Sequence, residues 1–125
     1  HLPIALGLTW PERLVGVEEP LTWRDASSWT FEPIDAETFP ALELARFAVG
    51  ASATHPAVLN AANEVLVDAF LAGAVPWLAI VDTVSAVLQE HEGVAAPSLD
   101  DIVAAQEWAV RRAHEVVRAG RWKDM

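Results

Sequence analysis

The chain has 125 residues, enough for one domain with a real core, and its 53% hydrophobic and 21% charged content is that of a globular protein. With no cysteine, disulfides, thiolate catalysis and Cys-ligated zinc or iron–sulfur sites are excluded. Eight basic against 18 acidic residues give a net charge of −10, which a phosphate backbone repels, and no apolar run reaches the ~20 residues of a membrane span.

Neither nucleic acid nor membrane is therefore expected as a partner. The opening HLPIALGLTW is apolar but has no basic flank and no small-residue cleavage site, so it reads poorly as a signal peptide, and a cytoplasmic location is expected.

Residues 1–40 hold five of the eight prolines (Pro3, Pro11, Pro20, Pro33, Pro40) and three of the six tryptophans (Trp10, Trp23, Trp29). That proline density forbids long helices and central strands alike, so an extended arm is expected. It opens with a short helix from Pro3 to Thr9, where proline suits the first turn. The piece Trp29 to Pro33, WTFEP, alternates like a short strand.

From Phe39 the apolar period becomes about 3.6 and four helices are predicted. The first runs from Pro40 to Val49, with Gly50 after its end. The second spans Pro56 to Ala72 and is stopped by Gly73. The third spans Pro76 to His91, with Leu78, Val81, Val84 or Ser85, and Leu88 along one side. The last starts at Ser98, where SLDD offers a capping box, and repeats Leu99, Ile102, Val103, Val110, Ala113 and Val117 up to Gly120. The fold class is all-α: a small four-helix bundle preceded by a proline-rich arm with a short N-terminal helix.

The candidate chemistry is thin. Asn60, Asn63 and Glu64 stand at helical spacing in LNAANEVLVDAF. Turning 100° per residue, the apolar residues around them fill most of the helix, which marks a central helix. The trio is expected to form a polar clasp to backbone or neighbouring helices. As metal ligands, one carboxylate, two amides and the nearby His55 make a weak set.

The other histidines offer less: His91 reads as a solvated helix end beside Glu90 and Glu92, His114 lies on a charged face, and His1 is terminal. Ser27, Ser28, Ser52, Ser85 and Ser98 lack a G-x-S-x-G setting, and the adjacent pairs Asp100–Asp101 and Glu18–Glu19 point apart. Arg111, Arg112, Arg118, Arg121 and Lys123 are interleaved with Glu107 and Glu115 and suit a helix C-terminus rather than a nucleic acid. The tryptophans, Trp23, Trp29 and Trp77 among them, are expected to be buried, with Trp122 as the candidate for an exposed contact. No catalytic, cofactor-binding or metal residue is assigned.

The order of LPIALGLTWPERL, WTFEPIDAETFPALELAR, LNAANEVLVDAFLAG and WLAIVDTVSAVL nevertheless resembles the C-terminal part of 1-deoxy-D-xylulose 5-phosphate reductoisomerase. The most specific matches are Leu2–Pro3–Ile4, Trp10–Pro11–Glu12–Arg13, Phe31–Glu32–Pro33, Phe39–Pro40, Asn60–Ala61–Ala62–Asn63–Glu64 and Ala69–Phe70–Leu71. At position 1 the family usually has Arg or Lys, and His1 departs from that.

The resemblance implies an enzyme of non-mevalonate isoprenoid biosynthesis. With NADPH and Mg2+ or Mn2+, such an enzyme rearranges and reduces 1-deoxy-D-xylulose 5-phosphate to 2-C-methyl-D-erythritol 4-phosphate, as a homodimer. It also implies that residues 1–38 are the end of a catalytic-domain helix and a proline-rich linker, and residues 39–125 the C-terminal bundle. The family's glycine-rich loop, acidic metal pair and Asn-Lys-Gly-x-x-Glu motif have no counterpart here, so the fragment alone is expected to be inactive, its partners being the NADPH-binding and catalytic domains. Two other readings stand beside this one: a free-standing helical protein-binding module, and a small enzyme using Asn60, Asn63, Glu64 and His55.

Overall fold

The structure is a computed structural model describing residues 2–19 and 22–123. His1, Pro20 and Leu21 lie outside the described residues, and so does the side chain of Lys123. The elements are α1 (Leu2–Thr9), α2 (Ala41–Ala51), α3 (His55–Leu71), α4 (Leu78–Glu90), α5 (Leu99–Ala119) and a short 3-10 helix (Arg121–Lys123). Among the described residues there is no strand. The fold is all-α. Two compact units are distinguished, His1–Pro33 and Ile34–Met125.

The first unit contains α1 and an irregular chain. The Thr9 hydroxyl lies 2.9 Å from both the Ala5 and Glu12 carbonyls, and Glu12 N–H donates to the Thr9 carbonyl at 2.7 Å, so a tight turn closes the helix. The turn holds a cis Trp10–Pro11 peptide, and Gly16 follows in a second turn at φ 78°. Every residue of α1 is apolar except Thr9, yet none is buried. The WTFEP segment is fully exposed and pairs with nothing, which corrects the strand expectation. Alternation signals a strand only when another strand offers its backbone groups.

In the second unit α3 is central, packed against α5, α4 and α2. Its Val58, Ala62 and Leu66 are wholly enclosed and meet Val84, Val87 and Leu88 of α4 and Ala109 and Ala113 of α5 in one cluster. The buried stripe of α5 is Ala105, Ala109, Ala113 and Val116, whereas Leu99 and Val103 are exposed. On α4 likewise Ala79, Ile80, Thr83, Val84, Val87 and Leu88 are enclosed while Leu78 stands out. Small residues let helix axes approach closely, so the contacting face is the one the neighbour reaches rather than the one with the largest side chains.

Sequence punctuation accounts for most helix ends. Ser98 caps α5: its hydroxyl accepts from Asp101 N–H at 3.2 Å and Asp101 Oδ2 accepts from Ser98 N–H at 2.9 Å, the reciprocal capping box. Gly73 and Gly120 take left-handed φ values of 72° and 65° after α3 and α5, which a side chain would resist. Gly50 does not end α2; it continues the helix to Ala51, and the extended Ser52 is the stop.

The tryptophans are not core residues, contrary to expectation. Trp23 is 85% exposed, Trp29 69% and Trp77 64%, whereas Trp122 is half-buried in the 3-10 helix and packs on the core. An indole is buried only where a neighbour covers it, and in the arm nothing described does so.

Candidate functional site

Helical geometry puts Asn60 and Glu64 one turn apart on the same face of α3. Asn60 Nδ2 donates to Glu64 Oε1 at 2.9 Å, and both side chains are exposed, with Leu71 exposed at the C-terminal end of the same helix. The expected clasp to backbone or to other helices is not formed: none of α2, α4 and α5 covers this face. Asn63 lies apart from them, half-buried in the wall of a groove of about 210 Å³. That groove is lined almost wholly by apolar residues of the α2 entry, α3 and α4, among them Phe39, Leu44, Leu59, Trp77 and Val81. Phe70 and Trp77 meet edge to face at 5.6 Å beside it.

A second cluster forms where sequence spacing gives no hint of one. His55 opens α3 and is only 6% exposed, and His91 follows the last turn of α4. Their ring centroids are 4.9 Å apart. Phe47 of α2 stands perpendicular to His55 at 5.9 Å, and Trp108 of α5 lies 5.3 Å from His91. His91 is therefore a half-buried link between helices and not the solvated end expected of it.

Two hydroxyls join the imidazoles. His55 Nδ1 is 2.7 Å from Ser52 Oγ, Ser52 Oγ is 3.2 Å from Thr54 Oγ1, and Thr54 Oγ1 is 2.8 Å from His91 Nε2. Thr54 also accepts Val94 N–H at 3.1 Å, tying the α4–α5 loop to the start of α3. Burial holds the His91 imidazole below its ordinary pKa, the facing His55 adds to this, and Glu92 opposes it.

A serine 2.7 Å from an imidazole invites a nucleophile–base reading. Gly93 lies so close that a Cβ there would stand 2.2 Å from Ser52 Oγ and 2.8 Å from His55 Cε1, so on that side the loop backbone occupies the space a substrate carbonyl would need. The sequence reading missed this cluster because its members are 37 and 40 residues apart. Only the buried Thr-His step at the head of the central helix could have hinted at it.

Elsewhere the polar contacts join helix to helix or stand exposed. Arg112 donates through Nε to Glu90 Oε2 at 2.5 Å, through Nη2 to Glu90 Oε1 at 2.8 Å and through Nη1 to Glu115 at 3.1 Å, clamping α5 to the end of α4. The guanidinium in turn holds the Glu90 carboxyl below its ordinary range. His114 is exposed on α5. Among the described residues no three His, Asp or Glu side chains gather where they could hold a metal ion. Nor is there a run of glycines at a helix start to cradle a dinucleotide phosphate. No helix of the described residues is long and apolar enough to cross a membrane.

The sequence pattern of the DXP reductoisomerase C-terminal domain family matches residues 1–112. The chain is 54% identical to the 1-deoxy-D-xylulose 5-phosphate reductoisomerase of Beutenbergia cavernae, covering 96% of this chain and 31% of that protein. It is 51% identical to the enzyme of the same name from Arthrobacter sp. strain FB24, covering 92% of this chain and 29% of that one. Among solved structures, the Zymomonas mobilis 1-deoxy-D-xylulose 5-phosphate reductoisomerase in complex with NADPH superposes with a TM-score of 0.76 at 34% identity, over 93% of this chain and 31% of that one. The chain spans about a third of the length of the curated relatives it matches.

Proposed function

Because the chain belongs to the DXP reductoisomerase C-terminal domain family, we propose that it works as the helical C-terminal domain of a 1-deoxy-D-xylulose 5-phosphate reductoisomerase. The observation that carries this reading is 54% identity to such an enzyme over nearly the whole chain. In that role it supplies no reacting group. NADPH and Mg2+ or Mn2+ are read as bound by domains of the complete enzyme outside these 125 residues. The complete enzyme is read as a cytoplasmic homodimer.

The domain's part in catalysis is support. A rigid bundle on which other segments rest can fix active-site walls without touching substrate, and misplacement of such walls lowers rate. Its surface agrees with that role. Ile4, Leu8 and Trp10 in the first unit, and Phe39, Trp77 and Leu78 beside the groove of the second, are large apolar side chains left open to solvent. The same groove favours the second reading, a helical protein-binding module.

The deciding experiment replaces the corresponding C-terminal third of the Zymomonas mobilis enzyme with this chain. NADPH oxidation with 1-deoxy-D-xylulose 5-phosphate and Mn2+ should persist within about tenfold of the parent, while the 125-residue chain alone oxidises none. A chimera that folds yet is inactive would sink the reading and leave the binding module.

A further inference from the structure

The two hydroxyls between His55 and His91 are saturated. Ser52 Oγ accepts Thr54 N–H at 3.3 Å, and Thr54 Oγ1 accepts Val94 N–H at 3.1 Å. Each oxygen is left with one lone pair and one proton for the line His55 Nδ1, Ser52 Oγ, Thr54 Oγ1, His91 Nε2. That line has three gaps, and each hydrogen bond needs one proton per gap. The hydroxyls bring two. The third must come from one of the two inner ring nitrogens, so one of them carries hydrogen and the other is bare.

Two neutral imidazoles meet this condition by taking the same tautomer, both Nδ1–H or both Nε2–H, because the line ends on Nδ1 of His55 and on Nε2 of His91. One neutral and one charged ring also meet it, the neutral ring turning its bare nitrogen inward. Two charged rings cannot, because four protons would crowd three gaps and one contact would become donor against donor. We infer that this relay is a proton-counting latch: it holds the α4–α5 loop against the start of α3 while at most one of His55 and His91 is charged, and releases it at the second protonation.

The surroundings agree. The imidazoles lie 4.9 Å apart, one buried and one half-buried, so a second positive charge is repelled by the first with little water between them to screen it. The charged groups around His91 are few. His55 faces it from α3, Glu92 and Glu90 lie on its own segment, and α5 presents the uncharged Trp108 while Arg112 is engaged by Glu90 and Glu115. From α2 the group against His55 is Phe47. Burial and His55 already depress the His91 pKa, so its protonation comes below the ordinary imidazole range. The sign follows: the closed state is complete above that range and is lost as pH falls to where both rings are charged. The side that yields is the loop, because His55 belongs to the helix packed on three others.

The test is ring-nitrogen NMR of both histidines, with amide exchange at Val94 corrected for intrinsic rate, from about pH 7.5 to about pH 5. Expected are two coupled protonation steps about one unit or more apart, and a loss of Val94 protection of about tenfold or more at the second step, with Leu66 unchanged. His91→Gln keeps a side-chain partner for Thr54 without a charge and should hold Val94 protected at the acid end. Ser52→Ala breaks the line and should uncouple the two titrations, which keeps the idea testable if His91→Gln fails to fold. Independent titration of the two rings in the unmodified chain, or Val94 protection unchanged across both steps, would overturn the latch. Neither readout involves NADPH or substrate, so its failure is distinct from failure of the reductoisomerase reading.

Discussion

Helices α1 and α5 make the plainest contrast in the molecule. α1 is Leu, Pro, Ile, Ala, Leu, Gly, Leu and Thr, and buries no residue; α5 carries seven charged side chains among 21 residues and buries four. Apolar content therefore does not predict burial. What matters is whether neighbours reach a face, and α5 presents an alanine stripe to α3 whereas α1, in the first unit, has no buried residue. The lesson extends to the aromatics: the arm's tryptophans are open to solvent while the small Ala62, Ala109 and Ala113 are fully enclosed.

Substitutions can break this contrast. Leu66→Ala, in the enclosed centre, should cost about 2–5 kcal/mol in urea unfolding, from lost transfer energy and the cavity left behind. A cost under half of that would mean the bundle is loosely packed. Gly93→Ala is next: its Cβ meets Ser52 Oγ and Cβ at 2.2 and 2.5 Å, so the loop must shift, at about 1–3 kcal/mol. Thermal melts of the two variants measure core against loop.

Smaller effects sharpen the picture at the surface. Ser98→Ala removes the hydroxyl half of the capping box and should lower stability by about 1 kcal/mol. Arg112 holds Glu90 below its ordinary range, so that pair stabilises fully above the ordinary carboxylate value and progressively less as pH falls through the lowered one. Arg112→Gln should flatten that acid limb of the stability–pH curve, and an unchanged limb would show the ion pair to be idle. Least of all, Ile4→Ala in α1 should stay within about 0.5 kcal/mol despite the loss of a large apolar side chain. A larger drop would show that α1 is covered in solution.

The helices were legible from the 3.6 period and from the prolines, glycines and serine that bound them, because these act within a turn or two of the chain. WTFEP was misread since a strand is completed only by a partner, and none of the described residues supplies one. The Asn60–Glu64 pair was placed correctly on the helix but given the wrong neighbours, because a wheel shows which residues share a face and not what lies opposite. His91 was misjudged for the same reason: its flanking glutamates describe the chain next to it, while its true surroundings are His55, Thr54 and Trp108.

By itself, then, the sequence determined the helical class, the capping box, the glycine stops and the kinship with the reductoisomerase C-terminal domain, all properties of short-range pattern or residue order. Tertiary structure alone decided that alanines rather than leucines line the α3–α5 contact, and that most tryptophans stay outside. It also decided that two histidines 36 positions apart share one proton line through Ser52 and Thr54. Those outcomes depend on which faces meet across the bundle, and that depends on how closely helix axes approach once every side chain competes for the same volume.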